Sequence, residues 1–275
     1  MLLAIGACAP VALPPEGAHS GPHTADRGGA RVLVFNIHAG KDAAGKPNLE
    51  GVAALVRSVD ADLVLLQEVD RGTRRSGNVD QVERLAELTG YSAAFGRSLD
   101  YDGGQYGIAA LSRRPITNDL TEALPIEPPQ ARAGGSYEPR AALAFMTTTG
   151  LGTLRGINTH LDASGGEHYR LQESRHIVSL ANRLGQSQAP LVAGGDFNAE
   201  PASETYRQLI GGGFRDAWQE CGAGDGFTYP AHKPIKRIDY LFLTAGLSCT
   251  RAEVIDTRIS DHRPLLVTIT LRTSH

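Results

Sequence analysis

The sequence predicts an α/β protein (α+β in its mix of elements) built on two similar sheets packed face to face, with its chemistry along one shared rim. Three observations predict it. Glycine and proline, 32 and 15 of 275 residues, favour many short strands joined by turns over long helices. Short apolar runs such as Val32-Leu33-Val34-Phe35, Leu63-Val64-Leu65-Leu66 and Leu191-Val192-Ala193 have the length of buried strands, and each gives way to polar groups. The chain also repeats itself. Asn36-Ile37-His38 closes a strand, a helix follows, and the next strand ends in Gln67-Glu68; Asn158-Thr159-His160 closes another, a helix follows, and the next ends in Asp196. A core has no reason to repeat such a pattern, whereas a site shared by two sheets does.

Taken in order, Met1 to Cys8 closes on Ile5-Gly6-Ala7-Cys8, which resembles a bacterial lipoprotein cleavage box behind too short an apolar stretch and no basic residue. The expectation is a truncated export signal with Cys8 as lipid anchor; otherwise the protein is cytoplasmic. Residues 9–29 are rich in Pro, Gly, Ala and His without an apolar period and read as a disordered tether. One domain is expected over residues 30–275. Its first strand ends at Asn36-Ile37-His38, and a helix with an apolar face at Val52, Leu55, Val56 and Val59 follows. After the Leu63 strand, Asp80-Gln81-Val82-Glu83 forms a capping box for a helix that stops at Gly90. Tyr91 to Leu111 supplies two strands, Asn118 to Pro139 a long turn-rich loop, and Arg140–Thr148 with Gly152–Asn158 a hairpin. The longest helix falls in Gly165–Gly185, its buried face at Ile177, Leu180, Ala181 and Leu184. After the Leu191 strand come a short helix at Ala202–Ile210 and strands near Arg237–Thr244, Ser248–Asp256 and Leu265–Leu271.

Bulk composition narrows the function classes. Hydrophobic residues at 41% and charged residues at 21% describe a globular chain able to bury a large core. Lys+Arg 27 against Asp+Glu 30 leaves net −3, with no basic stripe of the kind that tracks nucleic acid. A nuclease stays open, because a divalent metal can supply positive charge locally. No run approaches the roughly 20 apolar residues of a membrane-spanning helix. Cys8, Cys221 and Cys249 show no C-x-x-C spacing. With Cys8 lipidated, Cys221 and Cys249 remain as a pair that an oxidising compartment would join.

The chemistry-bearing groups gather at strand ends: Asn36, His38, Glu68, His160, Asp196, Asn198, Asp239 and the pair Asp261-His262. Strand alternation points Asp196 and Asn198 to one side with Phe197 opposite. Oxygen-rich donors favour Mg²⁺, Mn²⁺ or Ca²⁺, and the tight His/Cys constellation of a zinc site is missing. Asp239, inside a strand, is costly unless paired, and His262 is its natural partner. Arg140 at a strand start suits a phosphate clamp or an ion pair with Glu138.

Seven segments then occur in a telling order: Asn36-x-His38, Gln67-Glu68, Tyr106-Gly107-Ile108-Ala109, Asn158-Thr159-His160-Leu161, Gly195-Asp196-Phe197-Asn198, Arg237-Ile238-Asp239-Tyr240 and Ser260-Asp261-His262. Together, from about Arg31 to Leu271, they resemble the endonuclease/exonuclease/phosphatase superfamily, the DNase I-like metal-dependent phosphoesterases. The resemblance implies a four-layer α/β/β/α sandwich of two packed, mostly antiparallel sheets, Mg²⁺ dependence (Mn²⁺ as substitute) and phosphoester hydrolysis by an activated water. It implies that Glu68, with Asn36 and Asp261, holds the metal. Asp196 and Asn198 hold and activate the water or contact a second metal, His160 stabilises or protonates the departing oxygen, and His262 with Asp239 binds or polarises the phosphate. Arg140, Tyr106 and His38 match phosphate-binding positions more loosely. DNA-repair relatives often carry an acid at the place of His38 and a tyrosine at that of His160, so both residues move this chain away from that branch. The expectation is a monomeric phosphodiesterase. A nuclease on DNA or RNA and a phospholipid or inositol-phosphate phosphatase are the alternatives, and a non-catalytic scaffold the remote one.

Overall fold

The computed structural model describes residues 28–129, 138–185 and 189–272; the cleavage box and most of the tether lie outside them. The first strand, β1 (Ala30–Asn36), leads through α1 (Leu49–Ser58) to β2 (Leu63–Arg71). Helix α2 (Gln81–Thr89) and the hairpin of β3 (Ser92–Tyr101) and β4 (Gly104–Ser112) follow. Next come β5 (Thr117–Ala123), β6 (Ala141–Thr149) and β7 (Gly152–His160), then α3 (His168–Gly185) and β8 (Leu191–Asp196). The remainder is α4 (Glu204–Gly211), the two-residue β9 (Arg215–Asp216), α5 (Ala217–Cys221), β10 (Asp239–Leu243), β11 (Leu247–Val254) and β12 (Leu265–Leu271).

The strands form two six-stranded sheets, ordered β11-β12-β1-β2-β4-β3 and β5-β6-β7-β8-β10-β9. Each holds one parallel pair at its centre, β1 with β2 and β7 with β8, joined by a helix-bearing crossover. The other strand pairs are antiparallel. The two halves therefore match strand for strand, as the Asn-x-His repeat predicts.

Side-chain alternation sorts the core into layers. Val32, Val34, Leu63 and Leu65 point to the space between the sheets, where Leu143, Val192, Leu241 and Leu243 meet them. Leu33, Phe35, Val64 and Leu66 point the other way, onto Val52, Leu55 and Val56 of α1 and Val82 and Leu85 of α2. On the far side Ile157, Ala193 and Phe242 pack against Ile177 and Leu180 of α3 and Leu209 of α4. The result is four layers, helix on sheet on sheet on helix. Each fully buried Leu, Val or Phe contributes about 1.5–3 kcal/mol, and strands covered on both faces must be apolar throughout.

Helix ends follow the expected chemistry. Asp80 Oδ1 accepts from the backbone N–H groups of Val82 and Glu83, capping α2, and Gly90 closes that helix at φ 73°. The cap of α4 is Ser203, whose Oγ accepts from the Tyr206 N–H. One expectation fails: the first part of the loop from Asn118 to Pro139 is the edge strand β5. Among the described residues it pairs only with β6, and Leu120 on it is exposed. An edge strand needs one hydrogen-bonded neighbour and no apolar face, so no periodicity marks it. Cys221 in α5 and Cys249 in β11 are joined as a disulfide, with Cα atoms 5.7 Å apart.

Candidate active site

Strand register assembles the site. His160 ends β7 opposite Asp196, the end of β8, and Asp196 in turn faces Asp239, the start of β10. Three reactive side chains thus stand in a row across three neighbouring strands of one sheet. The residue before Asp196 must be glycine. Gly195 has φ 149°, and a Cβ there would come within 1.9 Å of the Thr159 carbonyl oxygen.

The other sheet brings Asn36 at the end of β1 and Glu68 in β2. Between Leu66 and Val69 the β2–β4 register slips, and Glu68 takes φ 56°. This bulge leaves Glu68 as the extra residue and turns its carboxylate to the cleft. Asn36 joins the two sheets, donating Nδ2–H to Glu68 Oε1 at 3.1 Å and to Asp196 Oδ2 at 3.0 Å. Asn158, its counterpart in the second half, is a brace. It donates to the carbonyls of Leu66 and Ala109 and accepts from Gln67 Nε2, all buried.

Two imidazoles flank Asp196. His160 Nε2 lies 3.5 Å and His262 Nε2 3.7 Å from Asp196 Oδ2. Their far sides differ. His262 Nδ1 bonds Asp239 Oδ2 at 2.9 Å. Burial alone would lower its basicity, but the charge and hydrogen bond of Asp239, with Asp196 and Asp261 nearby, push its pKa up to about 10. Asp239 thus favours the imidazolium form of His262. His160 Nδ1 instead faces Arg140 Nη1 at 3.1 Å. A guanidinium has only donors, so Nδ1 accepts and the ring proton sits on Nε2, toward Asp196. Arg140 is 2% exposed and pairs with Glu138 at 2.9 Å. Burial and the adjacent Asp239 raise the carboxyl of Asp196, while His262, the Asn198 N–H and Asn36 oppose the rise.

The remaining expected residues fall around this centre. Asn198, at φ 48°, donates its backbone N–H to Asp196 Oδ1 and its amide to the Leu161 carbonyl. Tyr106, Arg140, Asn198 and Asp261 line one cleft of about 820 Å³ with Glu68, His160, Asp196 and His262. Burial and Glu68 hold the Tyr106 phenol far above its ordinary range, which keeps it neutral. His38 does not line the cleft; its Nδ1 lies 3.7 Å from Asp261 Oδ1, behind that carboxylate. Four contributors carry no local sequence signal. Tyr229 lays its ring 4.7 Å from that of His262. Gln81 is buried between two rim segments, accepting from the Asp70 N–H and donating to the Ala39 carbonyl. Arg75 and Tyr101 stand together at the cleft mouth.

The donor set fits a hard cation. Glu68 and Asp261 present carboxylates to the cleft; Asn36 is buried outside its lining, donating to Glu68 Oε1 while its Oδ1 accepts the His38 N–H. Among the described residues, Asp196, Asp239 and His262 also bring ligand atoms within 4.8 Å of one another. There the His262 imidazolium already supplies positive charge between two carboxylates, and Asp239 Oδ1 is buried without a partner.

Two packed sheets, a rim of carboxylates and two oppositely biased imidazoles define a phosphoester hydrolase. Residues 33–262 match the Endonuclease/Exonuclease/phosphatase family, and the chain belongs to that family, whose members are phosphoester hydrolases generally dependent on a divalent metal. It is 27% identical over 255 residues to the uncharacterized protein YbhP of Escherichia coli K12, covering 88% of this chain and 96% of that one. Its fold is similar to that of an endonuclease/exonuclease/phosphatase from Beutenbergia cavernae, with a TM-score of 0.76 at 23% identity over 88% of this chain and 72% of that one. It is also similar to a mannosyl-6-phosphatase of Bacteroides thetaiotaomicron, with a TM-score of 0.70 at 21% identity over 88% and 99% of the two chains.

Proposed function

We propose that this chain is a Mg²⁺-dependent phosphodiesterase, with Mn²⁺ able to substitute, that attacks phosphorus with a water held by Asp196. The observation that carries the reading is the setting of Asp196. It is a buried carboxylate held by Asn36 and the Asn198 N–H, with an imidazole from β7 on one side and that of His262 on the other. A carboxylate so fixed orients a water and takes its proton. The His262 imidazolium binds a phosphate oxygen, and the His160 Nε2–H donates to the oxygen that departs; both stabilise the charge of the pentavalent transition state. Glu68, Asp261 and Asn36 Oδ1 would hold the Mg²⁺, which neutralises phosphate charge when bound.

Cleft residues from both halves, Leu99 and Tyr101 of β3 and, across from them, Ser164 after β7 and Ser203 before α4, support a substrate with substituents on two sides of the phosphorus. Net charge of −3 argues against processive tracking of nucleic acid. The Cys221–Cys249 disulfide supports work in an oxidising, extracytoplasmic compartment.

The test is a hydrolysis panel over plasmid DNA, RNA, sphingomyelin, inositol phosphates and a chromogenic diester. Mg²⁺ should be required, and Asp196→Ala should lose several orders of magnitude in rate. Activity that survives both EDTA and Asp196→Ala refutes the reading.

A further inference from the structure

At one mouth of the cleft stands a group of side chains that the chemistry above does not use. Asp70, fully buried, accepts from Arg75 Nε and Nη2, both at 2.7 Å, and from Thr73 Oγ1 at 2.7 Å. This bidentate pair locks the guanidinium plane. Its carbon then lies 4.6 Å from the ring centre of Tyr101 and 5.3 Å from that of Tyr106. The two rings are 6.3 Å apart and tilted by 59°. The support is equally fixed. The Arg75 N–H donates to Asp102 in the β3–β4 turn, and the start of β4 presses so closely on the 71–73 backbone that a Cβ at Gly104 would meet Arg71 O at 2.3 Å. Yet Tyr101 is 43% exposed, and Arg75 Nη1 makes no hydrogen bond among the described residues. A rigid aromatic face and an open donor thus meet at the entrance to the phosphate site.

Charge bookkeeping says what this place would take. Asp70 neutralises Arg75, Glu138 pairs with Arg140, and Tyr106 is a neutral phenol. With Glu68 close to Tyr106, no net positive charge is left for a second phosphate. An acyl chain finds little apolar wall, since Leu99 is the aliphatic side chain on this side. What fits is an uncharged ring with hydrogen-bond acceptors on its edge. Such a ring covers an exposed tyrosine face well, and Arg75 can donate to it.

We propose that Tyr101, Arg75 and Tyr106 form a subsite for the alcohol part of the phosphoester, and that it takes a neutral sugar or nucleoside ring stacked on Tyr101. The proposal rests on the hydrolase reading for its substrate, but its binding test does not. Calorimetry in the presence of Mg²⁺ compares thymidine monophosphate, glucose phosphate, methyl phosphate and an inositol trisphosphate. At least one of the two ring monophosphates should bind about tenfold tighter than methyl phosphate. That ratio should fall toward one in Tyr101→Ala and persist in Tyr101→Phe, which keeps the stacking face. Whichever ring monophosphate shows the preference tells sugar from nucleoside. Equal affinity for ring and methyl phosphates, a ratio that survives Tyr101→Ala, or tighter binding of the inositol trisphosphate than of both rings overturns the subsite. Ring-selective binding without any Mg²⁺-dependent turnover of the matching diesters sinks the hydrolase reading and leaves the subsite standing.

Discussion

Arg140 Nη1 lies 3.1 Å from His160 Nδ1, and this one contact decides which nitrogen of the imidazole faces the substrate as a donor. Arg140→Met frees the tautomer while keeping bulk. Turnover should fall about 10²–10³-fold, the usual loss when one transition-state donor goes. Nitrogen NMR of His160 should show the proton on Nε2 in the parent and a mixture in the variant. An unchanged tautomer in Arg140→Met would contradict the assignment.

Asp239 does the opposite for His262, accepting from Nδ1 and stabilising its charge. Asp239→Asn preserves shape but offers either the wrong donor or a weaker acceptor. Loss of a carboxylate that orients a catalytic histidine costs up to about 10⁴-fold. The expected result here is a kcat reduced by roughly 10²–10⁴-fold with circular dichroism unchanged.

Gln81 ties the turn after β1 to the segment after the Glu68 bulge, through Ala39 O at 2.7 Å and the Asp70 N–H at 2.9 Å. Gln81→Leu strands two buried backbone groups, at about 1–3 kcal/mol each. Thermal unfolding should show that loss. The Mg²⁺ concentration for half-maximal activity should also rise by about tenfold or more, as for other residues that support ligands without touching the metal.

Glu173 is buried and accepts from the Asp162 N–H. Burial pushes its pKa up from 4.5 to about 7 against the pull of that N–H, Arg140 and Arg170. Between these values the native chain holds a proton that the unfolded chain has released, so this group makes stability fall as pH rises from about 4.5 to 7. Glu173→Gln keeps the acceptor and removes the titration. Denaturant unfolding should find it equal to the parent near pH 4 and more stable by about 1–3 kcal/mol near pH 8.

Reduction should cost stability. The disulfide closes a span of 28 residues between α5 and β11, which corresponds to about 2–4 kcal/mol. Dithiothreitol and Cys221→Ser should each lower the melting temperature, and a thiol assay on unreduced protein should find neither Cys221 nor Cys249 free.

The interior was legible in the sequence because strands covered on both faces leave an unbroken apolar run, as at Val32–Phe35 and Leu63–Leu66. Asn36, Glu68, His160, Asp196 and the Asp239–His262 pair were legible because acids and histidines recur at strand ends. What escaped was set by register and by distant backbone. Nothing local announces the bulge that turns Glu68 outward. Asn158 shares the motif of Asn36 but braces the sheets, because its neighbours across the interface are carbonyls rather than carboxylates. Arg140 suggested a phosphate clamp or an ion pair, and the contact with His160 appears only once β6 and β7 are side by side. Arg75 and Tyr101 meet through the fold of a hairpin tip. Edge strands β5 and β9 need no apolar pattern and carry none.

The strand order of the first sheet has a consequence for how the molecule is made. Its last strand, β12, lies beside its first, β1, with Ile269 opposite Ala30. A nascent chain that has emerged through β10 already owns Asn36, Glu68, His160, Asp196 and Asp239, but neither His262 nor the strand that seals the sheet. Pairing the two ends closes a loop of nearly the whole polypeptide, a slow step in any folding route. The first sheet is therefore sealed, and His262 set beside Asp196 and Asp239, only when segments that lie far apart in the chain have met.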